Sequence, residues 1–197
     1  MTYEYTLWFQ KYIKNPSPES PKFLQKFRTR FRLPYSSFLD LVEMCDQPHF
    51  FDQWSKHVYP KKYKKGAPLE LLVLCVLRYL GRGWVIDDLE EQTCINYKTI
   101  RLFIHTFIDW GSTELYHKYV VAPMTKEELD DCSAEFKLAG LPGCIGSTDA
   151  THIVMECCFY RLQQMHFGYK LKFTARTYNL TVNHCRRILG TTKGHPA

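Results

Sequence analysis

Apolar residues recur with a helical period through the N-terminal part of the chain, up to about residue 140. In the segment 20–31, phenylalanines share one helical face and basic residues surround it, which predicts an amphipathic helix. The segment 69–80 is apolar on nearly all sides and predicts a buried central helix, which the glycines after it should end. Thr125 and Glu128 have the spacing of a capping box, so a further helix is predicted to begin there. This part of the chain is therefore predicted to be a bundle of helices.

Two consecutive helices are predicted between Asp87 and Trp110. Asp87 is the expected N-cap of a short helix, and residues 93–95 should form a turn. Asn96 then caps a longer helix, whose apolar residues follow the i, i+3, i+4, i+7, i+8 spacing and which Gly111 is expected to end. A buried helix, a short helix, a tight turn and a polar-tipped helix together have the form of a helix-turn-helix unit.

The N-terminal end of this longer helix is a candidate DNA-binding surface. In helix-turn-helix units, the first residues of the second helix point into the major groove. The side chains at these positions are chemically suited to bases and phosphates, and many helical bundles share the arrangement without binding DNA. The candidate DNA-binding residues are Asn96, Lys98, Thr99 and Arg101.

Beyond the sequence Ala139-Gly140-Leu141-Pro142-Gly143, the hydrophobic period changes from helical to strand-like. The apolar segment 144–148 predicts a strand with Asp149 at its exit, and residues 153–155 are its continuation or its hairpin partner. The segment 157–172 has no clear period and is interpreted as an ordered loop. Strict alternation over 178–184 predicts a half-buried strand, and a short strand should follow at 186–189.

Asp149 is the candidate catalytic and metal-binding residue. A carboxylate held on a strand suits a hard divalent cation, which prefers oxygen ligands. Hydrolysis of a phosphodiester by bound metal ions needs at least a second carboxylate, and residues 157–197 contain no Asp or Glu. As a structural alternative, an isolated Asp beside a strand commonly caps a turn or a helix.

Charge and cysteine content narrow the function classes only slightly. The chain carries a formal net charge of +6, which permits a nucleic-acid partner without requiring one. Its 8 cysteines form no Cys-x-x-Cys pair, and the N-terminus lacks the order of a secretory signal, so free thiols and an intracellular location are expected. A zinc site can be assembled from cysteines and histidines, but the spacings match no common ligand pattern, which favours buried thiols and surface histidines. Its candidate ligands are Cys144, His152, Cys157, Cys158, His166, His184 and Cys185.

Several blocks, taken in order, resemble the Harbinger-type DDE transposases and their domesticated nuclease relatives. The sequence Gly146-Ser-Thr-Asp149-Ala-Thr-His152-Ile153 resembles the family block Gly-x-x-Asp-Gly-Thr-His-Ile, with Ala150 in place of the glycine. The segment 31–38 looks like the sequence that precedes the helical region of the family, and 71–110 looks like its helix-turn-helix block. The segment 176–189 looks like the strand pair after the first acid.

The resemblance implies an RNase H-like catalytic fold in which three acids bind divalent metal, Mg²⁺ or Mn²⁺. Enzymes of this family cut DNA and join the released 3′ hydroxyl to target DNA. Asp149 matches the first acid, whereas Asn183 and His184 occupy a region in which many relatives carry an Asp. The second and third acids would lie beyond Ala197, so the resemblance implies an incomplete acidic site.

The sequence therefore predicts an α+β chain, with a helical DNA-binding region over 1–140 and a partial RNase H-like sheet over 141–197. Three functions stay open: a DDE transposase or its N-terminal fragment, inactive alone; a non-enzymatic helix-turn-helix DNA-binding module; and an inert remnant of a decayed element. Duplex DNA is the expected partner and no membrane is expected, while an oligomer or an accessory DNA-binding protein is left open. In a eukaryote the expected location is the nucleus.

Overall fold

The three-dimensional structure is a computed structural model that describes residues 2–47, 50, 66–168, 172–192 and 194–196. The chain forms two units, Met1–Ser112 and Thr113–Ala197, and each is described by itself. The basic segment 61–65, for which the sequence leaves both a solvated loop and a phosphate contact open, lies outside the described residues. The fold is α+β, as predicted, because most of the described helices precede a small antiparallel sheet in chain order.

The N-terminal unit begins with two short helical turns, Tyr3–Tyr5 and Phe9–Lys14, which precede helices α1 (Pro21–Phe31) and α2 (Tyr35–Cys45). The Ser20 hydroxyl accepts a hydrogen bond from the Phe23 N–H and caps α1. Helix α1 ends at Arg32, whose backbone is left-handed (φ 61°). The predicted helix over 20–31 is therefore confirmed.

An aromatic cluster fills the space between these elements. Tyr12 and Phe27 are fully buried, and their rings meet edge to face at 5.4 Å. The Tyr35 hydroxyl donates to the Tyr12 carbonyl oxygen (3.1 Å), which satisfies the polar tip of a buried ring. The other rings of the cluster belong to Trp8, Phe23, Phe31 and Phe38.

Helix α3 (Leu69–Arg82) is the central helix of this unit. Every residue from Leu71 to Val76 is buried, which confirms the prediction from its all-round apolar pattern. Gly83 ends the helix in the left-handed conformation (φ 66°), where a residue without a Cβ meets no steric penalty.

Helices α4 (Ile86–Thr93) and α5 (Tyr97–Trp110) follow as predicted, with two corrections. The N-cap of α4 is Val85, which makes no side-chain cap bond. Asp87 is the second residue of the helix, so its prediction as the cap was wrong. Gly111 does not end the helical backbone (φ −66°, ψ −32°), and a π-helical turn, Gly111–Leu115, follows.

The second unit contains α6 (Tyr116–Tyr119) and α7 (Lys126–Leu138). The predicted capping box is present: the Thr125 hydroxyl accepts from the Glu128 N–H (3.2 Å), and the Glu128 carboxylate accepts from the Thr125 N–H (3.1 Å). Helix α7 buries Cys132 and Phe136, and the Phe136 ring lies 5.6 Å from that of His184.

Replacing Thr125 by alanine is expected to destabilise α7 by about 1 kcal/mol, because the Glu128 N–H loses its acceptor. Hydrogen exchange of the α7 amides should be faster in this variant, whereas replacement of the exposed Lys126 by alanine should leave it unchanged. Hydrogen bonds from the Met124 and Thr125 N–H groups lower the pKa of Glu128. The stabilisation that the charged Glu128 carboxylate gives to the folded state is therefore present above the pKa of an unfolded Glu, and it is lost as the pH falls through the lowered pKa of the folded state. Equal exchange in the Thr125 and Lys126 variants would contradict this account.

The sheet is organised around one long strand, β3 (Phe173–Val182). Strand β1 (Ser147–Val154) pairs antiparallel with β3 over its whole length. The short strands β2 (Phe167–Gly168), β4 (Ile188–Thr191) and β5 (His195–Pro196) each pair antiparallel with β3 as well. Every residue of β1 is exposed, so neither face of this strand is covered by the described residues.

Two predictions about this unit were wrong. Asp149 is the third residue of β1 and lies opposite Leu180, so it is inside the strand and not at its exit. The segment 157–172, interpreted as a loop, contains the short helix α8 (Tyr160–His166) and strand β2. No helix among the described residues is long and apolar enough to cross a membrane.

Candidate nucleic-acid interface and acidic strand

The turn before α5 fixes the direction in which that helix begins. Cys94 has a left-handed backbone (φ 54°), and the buried Thr93 hydroxyl donates to the Leu89 carbonyl oxygen (2.6 Å). Ile95 is also buried, which anchors the turn on its apolar side. The buried residues Thr93 and Ile95 therefore anchor the N-terminal end of α5, while Asn96 and Lys98 are exposed to solvent.

Asn96 serves as the N-cap of α5. Its side-chain oxygen accepts a hydrogen bond from the Lys98 N–H (3.0 Å), and its backbone carbonyl accepts from the Thr99 N–H (2.9 Å). The capping oxygen is thereby engaged, which leaves the side-chain NH₂ group to donate to an acceptor outside the protein. Thr99 is half-buried, so Asn96 is the more accessible of the two.

The exposed face of α5 carries basic side chains in its N-terminal half and Asp109 near its C-terminal end. Lys98, Arg101 and His105 are exposed and follow an i, i+3, i+7 spacing, so they share one face of the helix. Ile100, Phe103 and Ile104 lie on the buried side. His105 was not among the predicted residues, although the helical period that predicts the buried stripe also places His105 opposite to it.

The neighbouring helix α4 is acidic and limits the basic surface. Asp87, Asp88 and Glu91 are exposed, and Glu90 is half-buried. Carboxylates repel phosphate, so a polyanion that contacts this unit should approach along α5 and away from the outer face of α4. Of these two helices, the N-terminal half of α5 is therefore the candidate interface, and the outer face of α4 is excluded.

Asp149 belongs to the other unit and is exposed on β1. One of its carboxylate oxygens accepts a hydrogen bond from the Ala150 N–H (2.9 Å). Since side chains alternate along a strand, Asp149 shares its face with Thr151 and, across the β1–β3 pair, with Leu180 and Tyr178. None of these three neighbours carries a charge.

The residues around Asp149 do not fit a divalent-cation site. Among the described residues, no group of three or more His, Cys, Asp or Glu side chains could hold a metal ion. Asn183, which the sequence analysis compared with an acid of the DDE transposases, is buried, and its side-chain oxygen accepts from the Arg187 N–H (2.7 Å) at the turn between β3 and β4. Asn183 therefore has a structural role, and Asp149 is the one acid that the resemblance assigns to this strand.

Among the described residues, no three of the candidate zinc ligands are grouped so that they could hold a metal ion. All eight cysteines are free thiols. His152 donates to or accepts from the Thr177 hydroxyl (2.9 Å), which ties its ring to β3, and His166 is buried.

Burial raises the pKa of Cys45 and of Cys75 to about 12, so these thiols stay protonated and unreactive at neutral pH.

Comparison with known proteins gives one informative similarity. Over 94 residues the chain is 33% identical to a protein named "Protein ALP1-like" from Arabidopsis thaliana, and the match covers 46% of this chain. It spans 22% of the relative, about a fifth of that protein's length. No protein-family model and no solved structure matches the chain.

Proposed function

We propose that this chain is a DNA-binding polypeptide related to the transposase-derived nucleases, which holds duplex DNA through α5 and does not cut it alone. The similarity to the ALP1-like protein supports the relation to transposase-derived nucleases in general. The DNA-binding part of the proposal rests on the N-terminal end of α5, where Lys98 and Arg101 are exposed on a helix that Asn96 caps.

The arrangement of α3, α4 and α5 favours recognition of duplex DNA over a purely structural bundle. A buried helix supports a short helix and a tight turn, and the helix after the turn has a polar, exposed beginning. In this proposal the unit is a helix-turn-helix, Lys98 and Arg101 bind phosphates or base edges, and the Asn96 NH₂ group donates to a base acceptor. Thr99, being half-buried, would contribute at most a phosphate contact.

The second unit supports an RNase H-like ancestry without a working acidic site. Asp149 lies on β1, within the block that resembles the first catalytic block of the DDE transposases, and β1 pairs antiparallel with β3. Strand transfer and hydrolysis in that family depend on several acids around divalent metal, and the described neighbours of Asp149 on its face are uncharged. We infer that Asp149 alone would bind Mg²⁺ or Mn²⁺ weakly and would not support cleavage.

A plasmid-nicking assay tests this part of the proposal. Supercoiled DNA incubated with the purified chain and Mg²⁺ or Mn²⁺ should remain supercoiled, and the Asp149→Ala variant should behave identically. Nicking that persists in the variant would identify a contaminating nuclease. Metal-dependent nicking that the Asp149→Ala change abolishes would overturn the proposal that this chain does not cut DNA.

A further inference from the structure

Four arginines from two helices converge in the N-terminal unit, at the C-terminal ends of α1 and α3. Arg78 of α3 donates from Nη1 to the Arg30 carbonyl oxygen at the end of α1 (2.8 Å). Arg32, the residue that ends α1, lies against Gly81: a Cβ added at Gly81 would be 3.1 Å from the Arg32 Cγ. Arg82 is four residues beyond Arg78 and so lies on the same side of α3. The arginine cluster is defined as Arg30, Arg32, Arg78 and Arg82.

The positive charges of this cluster act on one another. The pKa of Arg78 is lowered, first by burial of the guanidinium and then by the charges of Arg82 and Arg30. Only the Tyr12 phenol acts in the opposite direction, and no carboxylate of the described residues is among the groups that shift this pKa. Tyr12 also accepts a hydrogen bond from Arg30 Nη1 (3.0 Å).

Neutral groups hold the arginines in place. The Arg78 guanidinium lies 4.0 Å from the centroid of the Trp84 ring, a cation–π contact, while its Nε is buried without a hydrogen-bond partner among the described residues. Arg32 and Arg82 are exposed. Arg30 and Arg78 are therefore half-buried and held by contacts within the protein, whereas Arg32 and Arg82 are exposed to solvent.

A purely structural explanation covers only some of these observations. A cation near a helix C-terminus stabilises the helix dipole, which accounts for one arginine at each helix end. It does not account for four arginine residues brought together from the ends of two helices, with no carboxylate of the described residues acting on Arg78. Guanidinium groups bind phosphate oxygens in bidentate geometry, and a phosphate in this position would offset their mutual repulsion.

We propose that the arginine cluster is a second phosphate-binding site, which takes a backbone phosphate of the duplex that α5 binds. This inference rests on the proposed function, because it assigns the same DNA a second point of contact. Helix α3, which carries Arg78 and Arg82, packs against both α1 and α5, so the arginine cluster and the start of α5 belong to one packed unit.

A double variant that leaves the folded contacts intact tests the inference. Arg32→Asn with Arg82→Gln removes the two exposed guanidiniums, and asparagine tolerates the left-handed backbone at position 32. Arg30 and Arg78 are kept, since they bond to Tyr12 and to the α1 backbone. Duplex affinity should fall about tenfold at low salt, and the dependence of log K on log[salt] should become shallower by roughly 1 to 2.

Two further variants make the outcome specific. Lys126→Gln with Lys137→Gln removes the same number of exposed charges from α7 and should leave the affinity unchanged. Arg32→Lys with Arg82→Lys keeps the charge and should retain the salt dependence while losing affinity, because an ammonium does not replace a bidentate guanidinium. Circular dichroism of each variant checks that the helices are intact.

The results separate this inference from the proposed function. If the Arg32/Arg82 variant binds as tightly as the α7 variant while Lys98→Ala with Arg101→Ala weakens binding, the arginine cluster is not a phosphate site and α5 remains the interface. If only the Arg32/Arg82 variant weakens binding, the cluster holds the DNA and the α5 proposal is wrong. A wild-type chain that binds no duplex overturns both.

Discussion

The variant Lys98→Ala with Arg101→Ala should bind duplex DNA roughly 10- to 100-fold more weakly than the wild type. Both side chains are exposed on one face at the capped beginning of α5, so their loss removes direct contacts without disturbing the buried stripe. If each side chain neutralises a phosphate, the slope of log K against log[salt] should also become shallower by about 1.8. Fluorescence anisotropy of a labelled duplex at several salt concentrations measures both quantities.

A matched control distinguishes a local interface from bulk positive charge. Lys22→Ala with Lys26→Ala removes two exposed charges from α1 in the same unit and should change the affinity much less. Equal weakening by the two double variants would mean that the affinity for DNA depends on the total positive charge of the unit. The assignment of α5 as the interface would then be wrong.

Replacing Phe27 by alanine should lower the free energy of unfolding of the N-terminal unit by about 3–5 kcal/mol. Phe27 is fully buried, and its ring lies 4.7 Å from that of Phe31 and 5.0 Å from that of Tyr35. Truncation opens a cavity in the middle of the aromatic cluster, which surrounding rings cannot close without leaving their own contacts. Because α1 carries Arg30 and Arg32, this core also positions the arginine cluster.

Urea unfolding followed by tryptophan fluorescence measures this effect, since the buried Trp8 contacts Phe31 at 5.2 Å. Leu24→Ala on the same helix is the control: Leu24 is 39% exposed, and its truncation should cost less than about 1 kcal/mol. Similar unfolding midpoints for the two variants would show that the aromatic cluster is not the core of this unit.

The helices were largely predictable because their signals are local. The all-round apolar segment became the buried helix α3, and Asn96 and Thr125 cap the helices whose starts they predicted. The errors came from residues that permit more than one role. Asp87 suits a cap, but at the second position of α4 it still stabilises the positive end of the helix dipole. Gly111 permits a helix to end without forcing it to do so.

The sheet was less predictable, because strand limits depend on pairing with distant residues. The apolar segment before Asp149 suggested a strand that stops there. In the structure β1 instead continues through polar residues, because β3 supplies them with partners: the Thr148 hydroxyl meets the Thr181 hydroxyl at 2.9 Å, and His152 meets Thr177. The hydrophobic period of one segment carries no information about hydrogen bonds between side chains that are 33 residues apart.

The candidate site was predictable in part for the same reason. Lys98 and Arg101 follow from the helical period of α5, and their exposure agrees with that pattern. The arginine cluster does not follow from the sequence, because Arg30 and Arg78 are 48 residues apart and meet only through the packing of α1 on α3. The sequence shows many basic residues in 22–32, but only the tertiary structure shows which of them lie beside the arginines of α3.

Titration of a short duplex with the wild-type chain at a series of salt concentrations tests the central claim most directly. Measurable binding is expected at low salt, with log K falling linearly against log[salt] and a slope of about −2 or steeper, since at least two phosphates are neutralised. Binding that is absent at low salt, or that does not change with salt concentration, would contradict the claim that this chain holds DNA through its basic side chains.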